Sequence, residues 1–227
     1  MRLKVLFILL LVFCRNILRA HNWHTPLQAD VPGNYFNTSF SSTSFISSNQ
    51  GWAVGSIGTI FTTNNGGTTW SAQTSGSIQT LNAVQFISAT QGWAVGNSGT
   101  ILTTSNGGVT WTAQTSGTTT ALRSVFFTSA TKGWAVGDFV LGNTVMRTTN
   151  DGGITWTNVY PGTSIALNSV YFISATQGWA VGNAGTIITT TNGGSTWTAQ
   201  TSGINLTFRS VFFISATQGW AVGDGGT

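Results

Sequence analysis

Glutamate does not occur anywhere in this chain, and charge of either sign is scarce: four aspartates and eight basic residues make up 5% of 227 positions. Glycoside hydrolysis needs a facing pair of carboxyl groups, or a tyrosine nucleophile activated beside clustered arginines. Asp30, Asp138, Asp151 and Asp224 are the whole acidic complement, and no such arrangement is visible among them. Catalysis is therefore not expected. Cysteine is nearly absent too. Cys14 is the single one, so no disulfide or thiolate metal site can form within the chain. His21 and His24 have no partner motif, and there is no nucleotide-binding loop or zinc-ligand spacing, so neither metal nor cofactor is expected. No stretch carries a 3.6-residue apolar period, which excludes amphipathic helices. The longest apolar run near the N-terminus, Val5 to Cys14, is too short to span a bilayer.

The formal charge of +4 does not describe the body of the protein. Arg2, Lys4, Arg15 and Arg19 precede residue 20, and beyond them Arg123, Lys132, Arg147 and Arg209 balance the four aspartates. Nucleic acid is thus not an expected partner. Arg2 and Lys4 followed by the short apolar run read as an export signal over residues 1–20, with cleavage after Ala20 and a connecting segment over 21–37. Cys14 is a poor lipid-attachment site because bulky Phe13 precedes it. The expected location is the periplasm, a lumen or the cell exterior.

What the chain does have is a repeat. Gly51-Trp52-Ala53-Val54-Gly55 returns at Gly92, Gly133, Gly178 and Gly219, at intervals of 41, 41, 45 and 41 residues. A second tryptophan keeps the same period at Trp70, Trp111, Trp156 and Trp197. Such self-similarity marks stacked supersecondary units, none of which buries its apolar face alone. Each period holds four short β-prone runs, in the second unit Leu81–Ile87, Gly92–Gly96, Thr100–Thr104 and Thr110–Thr115, separated by Gly, Asn and Ser. Four strands per 41 residues predict an all-β propeller of four-stranded antiparallel blades. A parallel β-helix fits less well, because its coils are far shorter. Blades are expected at 38–78, 79–119, 120–164 and 165–205, with a partial fifth at 206–227. The chain then reads as a fragment of a longer propeller, four whole blades and half a fifth. An alternative lets residues Asn22–Leu27 supply an outer strand to the fifth blade.

Before each second tryptophan the chain reads as in Thr104-Ser105-Asn106-Gly107-Gly108-Val109-Thr110-Trp111. This resembles the Asp-box of BNR-type propellers, with Asn65 and Trp70, Asn106 and Trp111, Asp151 and Trp156, Asn192 and Trp197 at its structural positions; only Asp151 keeps the acid. An Asn or Asp there accepts turn amides, and glycine supplies positive φ. Together with the Leu-x-Ser-Val-x-Phe run and Gly-Thr-Ile-Leu, the repeat over residues 38–227 resembles the photosystem II assembly and stability factor family. The resemblance implies seven blades and a non-enzymatic scaffold that presents a face to a protein partner, such as a subunit of a membrane complex. Peripheral membrane association fits that reading. A secreted or cell-surface adhesion protein of a non-photosynthetic bacterium, and a truncated sialidase-like glycosidase, are the alternatives.

Strand direction assigns two faces. The inter-blade connections and the Gly96–Gly99 type turns share face one; the Asp-box turns and the Ser88–Gln91 type turns share face two. Face two barely varies. Face one carries Arg123 and Arg209, where Asn82 and Asn168 stand in other blades, and the four-residue insertion of the third unit around Phe139, Val140 and Leu141. Variation on a rigid scaffold marks binding. The expected partner-binding residues are therefore Arg123, Arg209, Phe139 and Leu141. Arg147 is a weaker member that aligns with Phe61, Leu102 and Ile188 and snorkels from the sheet.

Overall fold

A computed structural model describes residues 38–140 and 142–227. The export signal, the 21–37 segment, the Asn22–Leu27 strand and Leu141 lie outside the described residues. Blade one comprises β1 (Phe40–Phe45), β2 (Gly51–Gly55), β3 (Ile60–Thr63) and β4 (Ser71–Gln73), and blade two β5 (Leu81–Phe86), β6 (Gly92–Gly96), β7 (Ile101–Thr104) and β8 (Thr112–Gln114). Blade three comprises β9 (Leu122–Phe127), β10 (Gly133–Val140), β11 (Asn143–Thr149) and β12 (Thr157–Asn158). Blade four comprises β13 (Leu167–Phe172), β14 (Gly178–Gly182), β15 (Ile187–Thr190) and β16 (Thr198–Gln200). The last sheet pairs β17 (Phe208–Phe213) with β18 (Gly219–Gly223). Every sheet is antiparallel and in chain order, the arrangement expected of propeller blades.

Two strands of blade two, β7 and β8, start later than their β-prone runs, for a local reason. Thr100 closes a turn by donating its N–H to the Asn97 carbonyl, and Thr110 gives its N–H to Asn106 Oδ1. Neither is then available to a ladder. Blades pack face to face, with β1, β5, β9, β13 and β17 side by side along the inner edge. Inner strands are also stitched polar atom to polar atom: Ser44 Oγ accepts from Phe86 N at 2.9 Å, and Ser124 Oγ from Val170 N at 3.2 Å.

The core lies between blades rather than within them, which explains why a single repeat cannot fold alone. Trp52 of blade one stacks on Phe86 of blade two at 3.5 Å and 6°, and Trp93 on Phe127 at 3.5 Å and 8°. The Asp-box tryptophan of the receiving blade closes the other side edge-on, as Trp111 does against Phe86 at 5.8 Å and 89°. Glycine opens each Gly-Trp motif because a Cβ at Gly92 would run into the Phe86 ring.

A polar lock accompanies the first two aromatic sandwiches. Gly107 O of blade two accepts Trp52 Nε1 at 3.0 Å and Gln73 Nε2 at 2.9 Å, while Gln73 Oε1 accepts Trp111 Nε1 at 3.2 Å. The next junction repeats it with Trp93, Gln114, Gly152 and Trp156. Between blades three and four, Val159 occupies the glutamine position, and the buried Nε1 atoms of Trp134 and Trp197 have no hydrogen-bond partner. Stacking there is also looser, 3.7 Å and 17° for Trp134 on Phe172.

Candidate functional site

The Asp-box turns cluster on face two and are occupied with holding the chain. Thr104 Oγ1 accepts from Gly108 N at 2.8 Å and donates to Asn106 Oδ1 at 2.9 Å; Asn106 Oδ1 accepts from Thr110 N at 3.0 Å. Gly107 N reaches across to the Thr90 carbonyl at 2.8 Å, tying the two face-two turns together. Asn65 and Asn192 make the same bonds in blades one and four. Trp70, Trp111, Trp156 and Trp197 each pack edge-on against the last phenylalanine of their own inner strand.

Asp151 serves the third turn with a charge. Its carboxylate accepts the Thr155 hydroxyl at 2.6 Å, the Thr155 N–H at 2.9 Å and the Thr149 hydroxyl at 2.7 Å. These bonds, the Thr155 hydroxyl foremost, hold its pKa down at about 2. The folded value lies below the ordinary one. The contribution to stability is therefore complete above about pH 4 and lost as pH falls through about 2. A carboxyl-carbon NMR titration should show a midpoint near 2, and Asp151→Asn, the residue of the other turns, should remove that acid-dependent step. A midpoint near the ordinary aspartate value of about 4 would contradict the bonding described.

Face one is different. Arg123 at the start of β9 donates from Nε to Asp138 in β10, and Arg209 in β17 grips Asp224 through Nε at 2.9 Å and Nη2 at 2.8 Å. In blades two and four, Asn82 donates to Asn97 at 3.0 Å and to the Leu122 carbonyl at 2.8 Å, and Asn168 to Asn183 at 2.9 Å and to the Phe208 carbonyl at 2.8 Å. The aspartates opposite Arg123 and Arg209 are thus partners of those arginines. The signal was present: Arg with Asp, or Asn with Asn, always fifteen positions apart. Pairing alters the expected patch. The two arginines stand two blades apart, each balanced by its own acid and half-exposed, where a surface ion pair contributes about 0–1 kcal/mol.

The insertion of blade three lengthens a hairpin rather than forming a separate loop. Phe139 pairs with Thr144 and Val140 with Asn143, so β10 and β11 run past the neighbouring blades. Phe139 is 56% and Val140 44% exposed at the tip. Val140 overhangs a groove of about 940 Å³ between blades two and three, floored by Ser116, Gly117 and Thr118 and walled by Arg147. Arg147 does not snorkel outward. It is 9% exposed, and its guanidinium is held by backbone carbonyls of the chain that leaves blade two. The structure therefore brings Val140 and Arg147 to one groove, sets Phe139 on the other face of the same hairpin, and leaves Arg209 elsewhere.

Among the described residues no cluster of His, Cys, Asp or Glu could hold a metal, and no helix is long and apolar enough to cross a membrane. Asp138 and Asp224, on blades three and five, are each engaged by their own arginine.

No curated protein matches this sequence. Among solved structures, YCF48 bound to a D1 peptide is similar at 19% identity and a TM-score of 0.54, over 86% of this chain and 79% of that one. YCF48 from Cyanidioschyzon merolae is similar at 18% identity and 0.52, over 85% and 82%. The GH74 enzyme of Niastella koreensis is similar at 17% identity and 0.64, over 76% of this chain but 31% of the enzyme. These likenesses establish the β-propeller fold. The family model described as photosynthesis system II assembly factor YCF48 matches residues 19–111 and 77–161. That match spans more than half of the sequence, and the chain belongs to the YCF48 family of photosystem II assembly factors.

Proposed function

We propose that this protein is an exported, non-enzymatic propeller that captures a segment of a membrane-complex protein on face one. The observation that carries the reading is the blade-three hairpin, which holds Phe139 and Val140 in solvent, Val140 above a groove, on an otherwise regular scaffold. Blade three also holds most of the departures from the repeat: Arg123, the hairpin extension, Arg147, Asn158 and Val159. Rigid repetition with change concentrated in one sector is how a scaffold carries a binding site. A YCF48 structure with a D1 peptide supports a protein segment as the ligand class. Export is supported by Arg2 and Lys4 ahead of the Val5–Cys14 run. The engagement of Asp138, Asp151 and Asp224 in rim pairs and a turn supports a scaffold without catalysis.

The test is titration of a D1 peptide into the purified chain, followed by isothermal calorimetry. Phe139→Ser with Val140→Ser should weaken binding by roughly ten-fold or more, the loss of two apolar contacts, at unchanged melting temperature. Arg209→Ala, two blades away, should change little. Equal affinity for the hairpin variant would place binding elsewhere on the propeller.

A further inference from the structure

Position 147 is where three blades bury an apolar side chain against alanine and the fourth buries a cation. Phe61 lies opposite Ala72, Leu102 opposite Ala113 and Ile188 opposite Ala199, each of the three large residues no more than 2% exposed. In blade three the pair becomes Arg147 opposite Asn158, both members changed together. The Arg147 guanidinium donates to Ser116 O at 2.9 Å, Gly117 O at 3.1 Å, Met146 O at 3.2 Å and Asn158 Oδ1. All four acceptors are neutral. Among the described residues no carboxylate pairs with it, and burial pushes its pKa down. A guanidinium offers five N–H donors, so these bonds leave one over. Burying a cation without a counter-charge is unfavourable, and the fold has an apolar solution that it uses in three other blades. A charged side chain buried in the wall of a groove without a counter-charge is a candidate for binding an anionic ligand.

The groove defines that ligand. Its wall supplies one cation with one spare donor, too few for a phosphate, whose sites gather several charge-assisted donors, and suited to a carboxylate. Its floor is backbone and hydroxyl, with Gly117 leaving space above the chain and Ser77, Thr118 and Thr120 able to donate or accept. Val140 gives an apolar overhang. We infer that the cleft between blades two and three receives the carboxylate of an extended protein segment at Arg147, with an apolar side chain of the segment against Val140. This rests on the protein-binding reading above and gives it a chemistry: the anchor is the buried Arg147, and the arginines of the rim, already paired, are not.

Random pentapeptides without Asp or Glu, displayed with free C-terminal carboxylates or as C-terminal amides, provide the probe. Wild-type chain should be retained by the acids and about ten-fold less by the amides, the value of one charge-assisted contact. Arg147→Leu, which installs the residue of blade two, should abolish that preference while melting within about 3 °C of wild type. Where Arg147→Leu melts far lower, Arg147→Lys takes its place, and a kept preference for acids supports the inference while its loss overturns it. Equal retention of acids and amides, or a preference that survives Arg147→Leu, overturns it. So does protection of Arg147 by sodium acetate without retention of any peptide, which would mark a small-anion subsite. D1 peptide bound equally by wild type and Arg147→Leu, with loss in the hairpin variant, would sink this inference and leave the binding reading standing.

Discussion

Trp93→Ala is expected to destabilise the protein by about 3–5 kcal/mol, the range for removing a buried aromatic side chain from a core. Trp93 is fully buried, stacks flat on Phe127 of the next blade, and donates its indole N–H to Gly152 O at 2.9 Å. Truncation would remove the stacked face of Phe127 and leave Trp156 closing a half-empty sandwich. Because the core lies between blades, the loss should uncouple blade two from blade three rather than unfold one sheet. Hydrogen exchange should therefore rise across β6, β9 and the Asp-box turn at Asp151 together. Val109→Ala, exposed on the same scaffold, should stay within about 0.5 kcal/mol. A Trp93→Ala protein that melts like wild type would refute the shared-core description.

The second large effect has opposite signs at two equivalent sites. Gln114→Val removes the lock between blades two and three, leaving the Trp156 indole without its acceptor, and should destabilise by about 1–3 kcal/mol. Val159→Gln should install the missing lock between blades three and four, giving an acceptor to Trp197 and a tighter seat to Trp134. The orphaned Trp197 donor costs about 1–3 kcal/mol, against roughly 1.5 kcal/mol of apolar burial lost with the valine, so a net gain of about 0.5 kcal/mol is expected. Denaturant unfolding measures both. Indole N–H resonances give an independent readout, since those of Trp134 and Trp197 should move downfield and exchange more slowly in Val159→Gln. A neutral or destabilising Val159→Gln, with the indole signals unmoved, would mean that the unpartnered state of these tryptophans is not what sets the junction.

Much of this molecule was written in its period. The return of Gly-Trp at 41 residues, with β-branched runs and Gly/Asn punctuation, suffices for four-stranded blades, because a strand and a tight turn are decided by neighbouring residues. Asp-box geometry was legible for the same reason: Thr104, Asn106 and Thr110 satisfy one another within seven positions. The insertion in blade three announced itself as a break in the period, although not as a longer hairpin with Val140 over a groove.

What the sequence by itself determined was therefore local and repeated: strand, turn, blade and the hint that face one varies. What only the tertiary structure decided was which unlike residues meet. Arg123 finds Asp138 and Arg209 finds Asp224, which converts an expected basic patch into neutral rim pairs. Arg147 turns inward to carbonyls of the preceding blade's exit, and Val159 leaves two indoles without partners at one junction. Each depends on atoms some 15 to 40 positions apart in the chain, brought together by blade packing. A single repeat cannot reveal such contacts, because the charge balance, burial and hydrogen bonding of its residues are completed by the blade beside it.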